Sequence, residues 1–308
     1  MLGVLTGFLV IAMVIATGYL IARRAYLGDD GRQVLNRLAF HVATPCLLFT
    51  TLAAADLGTL ISQSQRLLVT ALATLTTAGV FITIARLNGW GTGHITIGAL
   101  CSSYVNAGNL GIPIAVYVLG EASLVAPVLL LQQILITPIA LTALDLNRSG
   151  EPQPLLRRLT TPLRNPMAAA ALAGTALSAT GLTVPRPVLG PLTLIGNMSV
   201  PAVLMAFGMS LRGRGLPARG LHRPAIVLSA SLKTAFQPLI AYGLGATLFH
   251  LARPALLDVA VIGALPAAQN LYTYASQYRT GENLARESIL LSTILAVPAL
   301  FTIAALLG

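Results

Sequence analysis

The sequence predicts an all-α integral membrane protein with ten transmembrane helices, arranged as two five-helix halves of opposite orientation. Its 308 residues are 56% hydrophobic and only 9% charged, whereas a soluble domain carries about 25% charged residues. Its apolar segments have about 20 residues each, which is the length that crosses the hydrocarbon core of a bilayer. Prolines also recur at similar positions in the two halves. A chain of this composition cannot cover a soluble surface, so we expect its apolar segments to face lipid or each other.

Ten apolar segments are long enough to span the membrane, and the loops between them are short. The first segment has no basic residue before it and is followed by Arg23 and Arg24. This order indicates a retained helix, because a cleaved signal peptide places its positive charge before its apolar core. The predicted spans are 3–22, 34–54, 66–86, 94–119, 122–146, 163–182, 187–211, 224–249, 256–277 and 283–307.

Arginines are concentrated in alternate connections between the predicted spans. The even-numbered connections contain only Arg66, Arg186 and Arg253. Because cytoplasmic loops carry an excess of Lys and Arg, we predict a multi-pass protein of the cell (inner) membrane with both termini extracytoplasmic. These loops explain the net charge of +10, so membrane lipid is an expected partner and nucleic acid is not. The odd-numbered connections and their flanks contain Arg23, Arg24, Arg32, Arg37, Arg86, Arg148, Arg157, Arg158, Arg164, Arg212, Arg214, Arg219, Arg223, Arg279 and Arg286.

The two halves share the positions of two proline pairs. Pro45 in span two and Pro201 in span seven are 156 residues apart, and Pro138 in span five and Pro298 in span ten are 160 residues apart. Each pair occupies equivalent spans of a five-plus-five arrangement. Because five is an odd number, the second half enters the membrane from the opposite side. The sequence therefore predicts an inverted repeat, which is typical of secondary transporters.

A polar interruption lies in the middle of span four, where residues 106–113 read Asn-Ala-Gly-Asn-Leu-Gly-Ile-Pro. Proline inside a helix removes a backbone donor and clashes with the preceding turn. Broken backbone at membrane depth is tolerated only where protein or a water-filled cavity surrounds it. The repeat maps Pro113 onto span nine at about residues 269–273, close to Pro266. The sequence therefore predicts that broken helices four and nine cross near the bilayer midplane.

The polar residues of the two interruptions are candidates for substrate binding. Half-helix N-termini favour anions and C-terminal ends favour cations, and amide side chains can contact a solute directly. The alternative is that these amides only cap the broken backbone, and the two roles are compatible. The predicted substrate-binding amides are Asn106, Asn109, Gln269 and Asn270, and the predicted structural residues of the crossover are Gly111, Pro113 and Pro266.

Lys233 is the only lysine of the chain and is predicted to lie roughly 15 Å deep in span eight, at about 1.5 Å per residue. A basic residue at the centre of a membrane helix costs about 2.5–3.5 kcal/mol on insertion scales, so it must face the protein interior or a cavity. We include it among the substrate-binding residues, as the partner of a carboxylate or as a tethered cation that replaces a transported ion. The alternative is a structural lysine bonded to the carbonyl end of a half-helix.

Nothing in the sequence indicates an enzyme, a cofactor or a metal site. Cys46 and Cys101 lie in apolar segments and form neither a disulfide framework nor a cysteine-rich metal site. The zinc-protease, serine-hydrolase and nucleotide phosphate-binding motifs are all absent. Energy for transport would therefore come from a gradient. A channel is the other alternative to a carrier. Slow flux that saturates with solute concentration would exclude a channel.

At the residues of the two interruptions and around Lys233, the chain resembles the auxin efflux carrier family. This family includes plant auxin exporters and bacterial carriers of malonate and other small organic acids. The resemblance covers essentially the whole chain, and the Asn…Gly-Ile-Pro element of span four is its most specific part. The loop between the halves is shorter here than in plant members. The matching features are Asn106 with Gly111-Ile112-Pro113, Asn36 with Pro45 and Phe49, Lys233 with Pro238, and the stretch from Leu265-Pro266 to Tyr278.

The resemblance implies the fold of the bile acid:sodium symporters, in which a transport domain moves against a scaffold. The scaffold would comprise 1–60 and 163–215, the transport domain 61–147 and 216–308, and the cytoplasmic loop 148–162. The resemblance also implies a secondary active transporter of a small organic anion, auxin- or malonate-like, that alternates access around a midplane site and forms a homodimer through the scaffold helices. The alternative is a sodium-coupled symporter of bile-acid-like anions, which would need oxygen-rich cation sites.

Overall fold

The computed structural model describes residues 2–28, 30–54, 64–111, 114–115, 119, 124–149, 166–182, 184–212 and 223–307. In this part of the chain the regular structure is helical, apart from one isolated bridge between Val105 and Ala267. The predicted all-α class is therefore confirmed. The helices are α1 (Leu2–Arg24), α2 (Gly31–Leu38, Ala39–Ala43 and Thr44–Ala53), α3 (Ser64–Leu87), α4 (Thr92–Ser103), α5 (Ala126–Leu131, Gln132–Ile136 and Thr137–Ser149), α6 (Pro166–Thr180), α7 (Arg186–Asn197 and Ser199–Ser210), α8 (Arg223–Ser231, Leu232–Phe236 and Gln237–Thr247), α9 (Arg253–Ala264), α10 (Asn270–Tyr278) and α11 (Glu282–Leu307).

Five helices of the described chain are both long and apolar enough to cross a membrane. Between 22% and 56% of their most apolar windows is buried inside the protein, so the remaining surface is available to lipid. These helices support a multi-pass membrane protein, while the count of ten spans stays a prediction. The five are Ser64–Leu87, Pro127–Leu146, Arg186–Ser210, Arg223–Thr247 and Glu282–Leu307.

Three long helices each contain one wide π-helical turn, and each of these turns ends two residues before a proline. The turns are Ala39–Ala43 before Pro45, Gln132–Ile136 before Pro138, and Leu232–Phe236 before Pro238. A proline clashes with the carbonyl four residues earlier and gives it no N–H. In all three helices that carbonyl lies inside the wide turn, where the altered hydrogen-bond spacing can accommodate the ring. These helices therefore continue past their prolines.

Glycines allow close backbone contact where α1 meets α7 and where α2 meets α6. A Cβ atom on Gly18 would lie 2.2 Å from the Met205 backbone oxygen, and one on Gly174 would lie 2.8 Å from the Phe49 backbone oxygen. Both distances are too short for a real side chain, so only glycine fits. Gly18 and Gly174 are 156 positions apart, as are Phe49 and Met205. The same spacing separates Pro45 from Pro201.

The helices pack as two groups. Helix α2 packs against α6 and α7, and α1 packs against α7. In the second group α8 packs against α9 and α3, α4 packs against α3, and α11 packs against α8 and α9. The interior near the contact between the groups contains fully buried aromatic rings. Tyr272 lies edge-on to Phe207 at 5.9 Å between ring centroids, and Tyr274 lies edge-on to Phe40 at 6.3 Å.

Candidate functional site

The first interruption follows the last residue of α4, Ser103. The helix ends because Tyr104 adopts an extended conformation (ψ 112°), and helical structure resumes with the π-helical turn Ala107–Gly111. Gln132, on the neighbouring helix α5, hydrogen-bonds to backbone groups that the break leaves without helical partners. Its Oε1 accepts a hydrogen bond from the Val105 N–H at 2.8 Å, and its Nε2 donates to the Val105 carbonyl at 3.1 Å. The break is thus closed by protein rather than left to lipid, as a membrane interior requires.

The second interruption follows the last residue of α9, Ala264. Leu265 is extended (ψ 140°), and the chain becomes helical again at Asn270. Ser292 on α11 accepts a hydrogen bond from the Ala267 N–H at 3.2 Å. Lys233 on α8 donates from Nζ to the Gly263 carbonyl at 2.6 Å. Each break is therefore supported by polar side chains of helices that are themselves continuous.

The two interruptions contact each other. Val105 and Ala267 form an antiparallel bridge, and the Asn106 N–H donates to the Pro266 carbonyl at 2.9 Å. The Asn106 Nδ2 also donates to Gln269 Oε1 at 2.7 Å. The exposed fractions of Asn106 and Gln269 are only 2% and 1%. Two of the predicted amides, separated by more than 160 residues in the chain, thus lie side by side.

A cavity of about 280 Å³ lies beside this contact. Asn106 and Asn270 line it, together with Tyr104, Val105, Ala107, Gly108 and Ala268. The Asn270 Nδ2 donates to the Tyr274 hydroxyl at 2.9 Å, while its buried Oδ1 has no hydrogen-bond partner within the described chain. No charged side chain is among the lining residues described. The cavity is otherwise bounded by α2, α5 and α7 through Thr44, Leu47, Leu48, Thr51, Leu52, Leu129, Gln132, Gln133, Ser199, Val200 and Val203.

Other predicted site residues lie away from this cavity or outside the described chain. Lys233 is fully buried and contacts the Gly263 carbonyl, which is the contact expected of the structural alternative, and it does not line the cavity. Gly111 donates its N–H to the Asn106 carbonyl at 2.9 Å, in keeping with its predicted structural role. The side chain of Asn109 and the whole of Pro113 lie outside the described residues.

Sequence reasoning missed the glutamine pair of α5 and the hydroxyl pair between α2 and α7. Gln132 supports the break, and Gln133 lines the cavity. Thr44 and Ser199 share a hydrogen bond of 2.7 Å between their hydroxyl oxygens. Polar side chains inside a membrane helix usually face the interior and carry function. Two adjacent glutamines in the middle of an apolar span are such a signal, and they could have been identified from the sequence.

Polar contacts join α2 to α10 and the start of α11 on one side of the cavity, and we call them the α2–α10 contact. Arg32 pairs with Glu282 at 3.1 Å and also donates to the Tyr272 hydroxyl. The Asn36 amide donates to the Ser276 hydroxyl at 3.2 Å. Burial lowers the pKa of Arg32, but its contacts with Tyr272 and Glu282 outweigh burial and raise that pKa above its ordinary value.

The α2–α10 contact and the cavity occupy successive parts of the same two helices. On α2, the contact is formed by residues 32–41, which include His41 at 2.9 Å from Gln277, and the cavity is lined by residues 44–52. On α10 and its flanking residues, the contact is formed by residues 272–282, and the cavity is lined by residues 268 and 270. The α2–α10 contact therefore lies between the cavity and the loops after α1 and α10, where it can restrict access to the cavity.

Comparison with known proteins identifies the family. A family model described as membrane transport protein matches residues 4–153 and 155–304, which together cover nearly the whole chain. An uncharacterized transporter of Methanothermobacter thermautotrophicus is 28% identical over 300 residues, which represent 94% of each chain. Both matches are with transporters rather than with enzymes. The chain therefore belongs to the membrane transport protein family, the auxin efflux carrier-like group that its sequence resembles.

Proposed function

We propose that the protein is a secondary active transporter of a small organic anion that works by alternating access around the cavity beside the two interruptions. The contact between these interruptions carries the proposal. It places hydrogen-bonding backbone, two buried amides and a cavity of about 280 Å³ at one position inside an otherwise apolar protein. Irregular backbone at membrane depth that borders a cavity is the usual setting of a transporter binding site.

Contacts between the two halves support an inverted repeat with crossed broken helices. Asn106 bonds Gln269, and Thr74 bonds Gln237, so two polar pairs join the halves near the breaks. The glycine contacts support a pseudo-twofold relation in the other helix group, because Gly18 and Gly174 are 156 positions apart and so are their partners Phe49 and Met205.

The packing of the helices supports the proposed division into a scaffold and a transport domain. Helices α1, α2, α6 and α7 form one packed group, and α3, α4, α8, α9 and α11 form another. The cavity lies at their boundary, because its lining comes from α2 and α7 on one side and from the interruptions and α5 on the other. In the proposed mechanism, sliding at this boundary would open the cavity to one side of the membrane and then to the other.

Electrostatics favour an anion of single charge that also has an apolar part. Residues that follow the two breaks line the cavity, at 106–108 and at 268 and 270. The start of a helix carries partial positive charge, which favours an anion. No lysine or arginine lines the cavity in the described chain, so a second carboxylate would lie there without a counter-charge. The leucine and valine side chains of the lining suit an apolar body. We therefore favour an auxin-like monocarboxylate over a malonate-like dicarboxylate.

Within this proposal the predicted site residues have different roles. Asn106 and Asn270 would contact the substrate, because they line the cavity. Gln269 would hold Asn106 in position, and Lys233 would support the second break. Asn109 is retained as a candidate from the sequence. Neither a cofactor nor a metal ion has a role in the proposed cycle.

Transport by purified protein in liposomes tests the proposal. Solid-supported-membrane currents should saturate with monocarboxylates of apolar body, and Asn270→Ala should weaken the apparent affinity by about fivefold, since one buried hydrogen bond contributes about 1 kcal/mol. Val203→Trp should abolish transport by filling the cavity. Val188→Trp is the matched control, because Val188 lies on the same helix and is 54% exposed. Equal currents from both tryptophan variants, or no response to any carboxylate, would refute the proposal.

We also propose that the protein is a homodimer in the cell membrane with both termini extracytoplasmic. The distribution of arginine supports this orientation, and α1 exposes the apolar side chains of Leu9, Val10 and Met13 to its surroundings. Labelling of a cysteine introduced at Thr280 by a membrane-impermeant reagent tests the orientation. It should react only after the cells are permeabilised. Light scattering of the purified protein tests the dimer.

A further inference from the structure

A groove runs along the surface of α8, α9 and α11, and it shares no lining residue with the cavity beside the interruptions. Its volume is about 550 Å³, within the range of roughly 300–1,000 Å³ that is usual for small-molecule sites. Two of its lining residues, Leu239 on α8 and Leu306 on α11, are 68% and 70% exposed. The groove therefore opens away from the protein interior.

The lining of the groove is apolar. Alanine, leucine, isoleucine and proline side chains supply most of it. Its two threonines, Thr234 and Thr302, each donate their hydroxyl hydrogen to a carbonyl of their own helix at 2.8 Å. Helices α8 and α11 are long and apolar enough to cross the membrane, so their exposed sides meet hydrocarbon. The groove therefore suits a hydrocarbon chain better than a polar solute.

The groove extends from the middle of these helices to one of their ends. On α11 its lining runs from Ala299 to Leu307, the last residue of the helix, a length of about 12 Å at about 1.5 Å per residue. On α8 it runs over a similar length, from Thr234 to Tyr242. Half of the hydrocarbon core of a bilayer is about 15 Å thick. The groove thus has about the length of one acyl chain between its headgroup and the bilayer centre.

A positive charge lies at the outer end of the groove. Arg253, the first residue of α9, donates from Nε to the carbonyl of Leu307 at 3.3 Å. Arg253 is exposed, and its Nη1 and Nη2 atoms form no hydrogen bond or ion pair within the described chain. The carboxylate of Asp258, on the same helix, pairs with Arg66 at 3.0 Å. The Arg253 guanidinium is therefore available to an anionic group at the membrane surface.

We propose that the groove binds one molecule of an anionic phospholipid, with an acyl chain along α8 and α11 and the phosphate on Arg253. A guanidinium can hold a phosphate through two parallel N–H donors, and a basic side chain near the membrane surface favours anionic lipids. Phosphatidylcholine has the same acyl chains, but its choline would bring a second positive charge close to Arg253. The groove therefore favours an anionic headgroup over a zwitterionic one.

Native mass spectrometry of the purified full-length protein tests the headgroup. The delipidated protein is offered equal amounts of dioleoyl phosphatidylglycerol and dioleoyl phosphatidylcholine, and the wild type should bind its first phosphatidylglycerol about fivefold more tightly. Arg253→Gln should remove this preference, because one basic side chain near an anionic lipid has an effect of this size. Arg186→Gln is the matched control and should keep the preference. Arg186 is likewise the exposed first residue of a helix, is followed by proline and does not line the groove.

A substitution inside the groove tests the acyl chain. Ala235→Trp, at an exposed position of α8 that lines the groove, should weaken the first binding of both lipids by at least about tenfold, because several CH₂ groups lose their contacts. Val227→Trp is the control, since Val227 is on the same helix, is 42% exposed and lies outside the groove. If Ala235→Trp does not fold, phosphatidylglycerol with a diazirine in its acyl chain should label residues 234–242 or 299–307 of the wild type.

Several results would overturn the proposal. Equal affinity of the wild type for the two lipids would indicate an ordinary lipid contact, and equal loss in Arg253→Gln and Arg186→Gln would indicate a diffuse charge effect. Diazirine labelling confined to other helices would exclude the groove. Conversion of a dimer to monomers by Ala235→Trp in light scattering would show that a second copy of the chain covers it. None of these measurements involves transport, so this proposal and the proposed function can fail separately.

Discussion

Replacement of Gln132 with methionine would test whether side chains of continuous helices hold the breaks together. Gln132 is 4% exposed, and its amide makes two hydrogen bonds to Val105, at 2.8 and 3.1 Å. Methionine has a similar length but offers neither bond. The Val105 carbonyl would keep its second partner, the Ala107 N–H at 2.8 Å. The Val105 N–H would lose the acceptor that Gln132 provides.

The expected loss follows from these two bonds. A buried N–H left without a partner costs about 1–3 kcal/mol, and loss of a second hydrogen bond whose acceptor keeps another partner costs about 1 kcal/mol. The free energy of unfolding should therefore fall by about 2–4 kcal/mol. At about 2–4 °C per kcal/mol for a large domain, the unfolding midpoint should fall by at least about 4 °C. Fluorescence-monitored thermal unfolding in detergent measures this shift.

Gln133 provides the matched control for Gln132. It is the next residue on the same helix and lines the cavity, but its only hydrogen bond within the described residues is a long one of 3.4 Å, from the Thr137 hydroxyl. Gln133→Met should change the free energy of unfolding by less than about 0.5 kcal/mol. It should also weaken the apparent affinity for the transported anion. Equal destabilisation by the two variants, or a Gln132→Met protein as stable as the wild type, would refute the reasoning.

Two further predictions concern the packing of α1 and the α2–α10 contact. Gly208→Ala should destabilise the protein by about 1–3 kcal/mol in thermal unfolding, because its Cβ would lie 1.9 Å from a backbone oxygen of α1, whereas Gly190→Ala, which meets open space, should not. Arg32→Gln and Glu282→Gln should each change stability by less than about 1 kcal/mol, because the pair is partly exposed. Both should nevertheless increase the labelling of a cysteine introduced at Ser276 by a soluble maleimide, and unchanged labelling would contradict a closing role for this contact.

The positions of the breaks could be predicted from local chemistry alone. Asparagine, glycine and proline in the middle of an apolar span disfavour a continuous helix wherever the span packs. The sequence predicted the second interruption at about 269–273, close to Pro266, and the structure breaks the chain slightly earlier, between Ala264 and Asn270. Backbone propensity acts without knowledge of side-chain directions, so the approximate positions of the breaks were accessible to sequence reasoning.

The partners of individual side chains were harder to predict. The depth of Lys233 follows from its position in the span, but its contact with Gly263 depends on the rotation of α8, and a π-helical turn before Pro238 alters that rotation. The role of Gln132 was missed for a similar reason, since it lies in another such turn. The division into domains, the orientation and the dimer stay predictions, because they depend on lipid and on a second chain.

The bridge between Val105 and Ala267 has a consequence for biogenesis. When the ribosome has completed the first five predicted spans, the residues that pair with the first break have not been synthesised. The Asn106 N–H cannot form its hydrogen bond to the Pro266 carbonyl until that residue has been synthesised. The bilayer core offers no substitute acceptor. The first half should therefore stay beside the translocon, or with an insertion chaperone, until α9 arrives, and the two halves should be released into the lipid as one assembled unit.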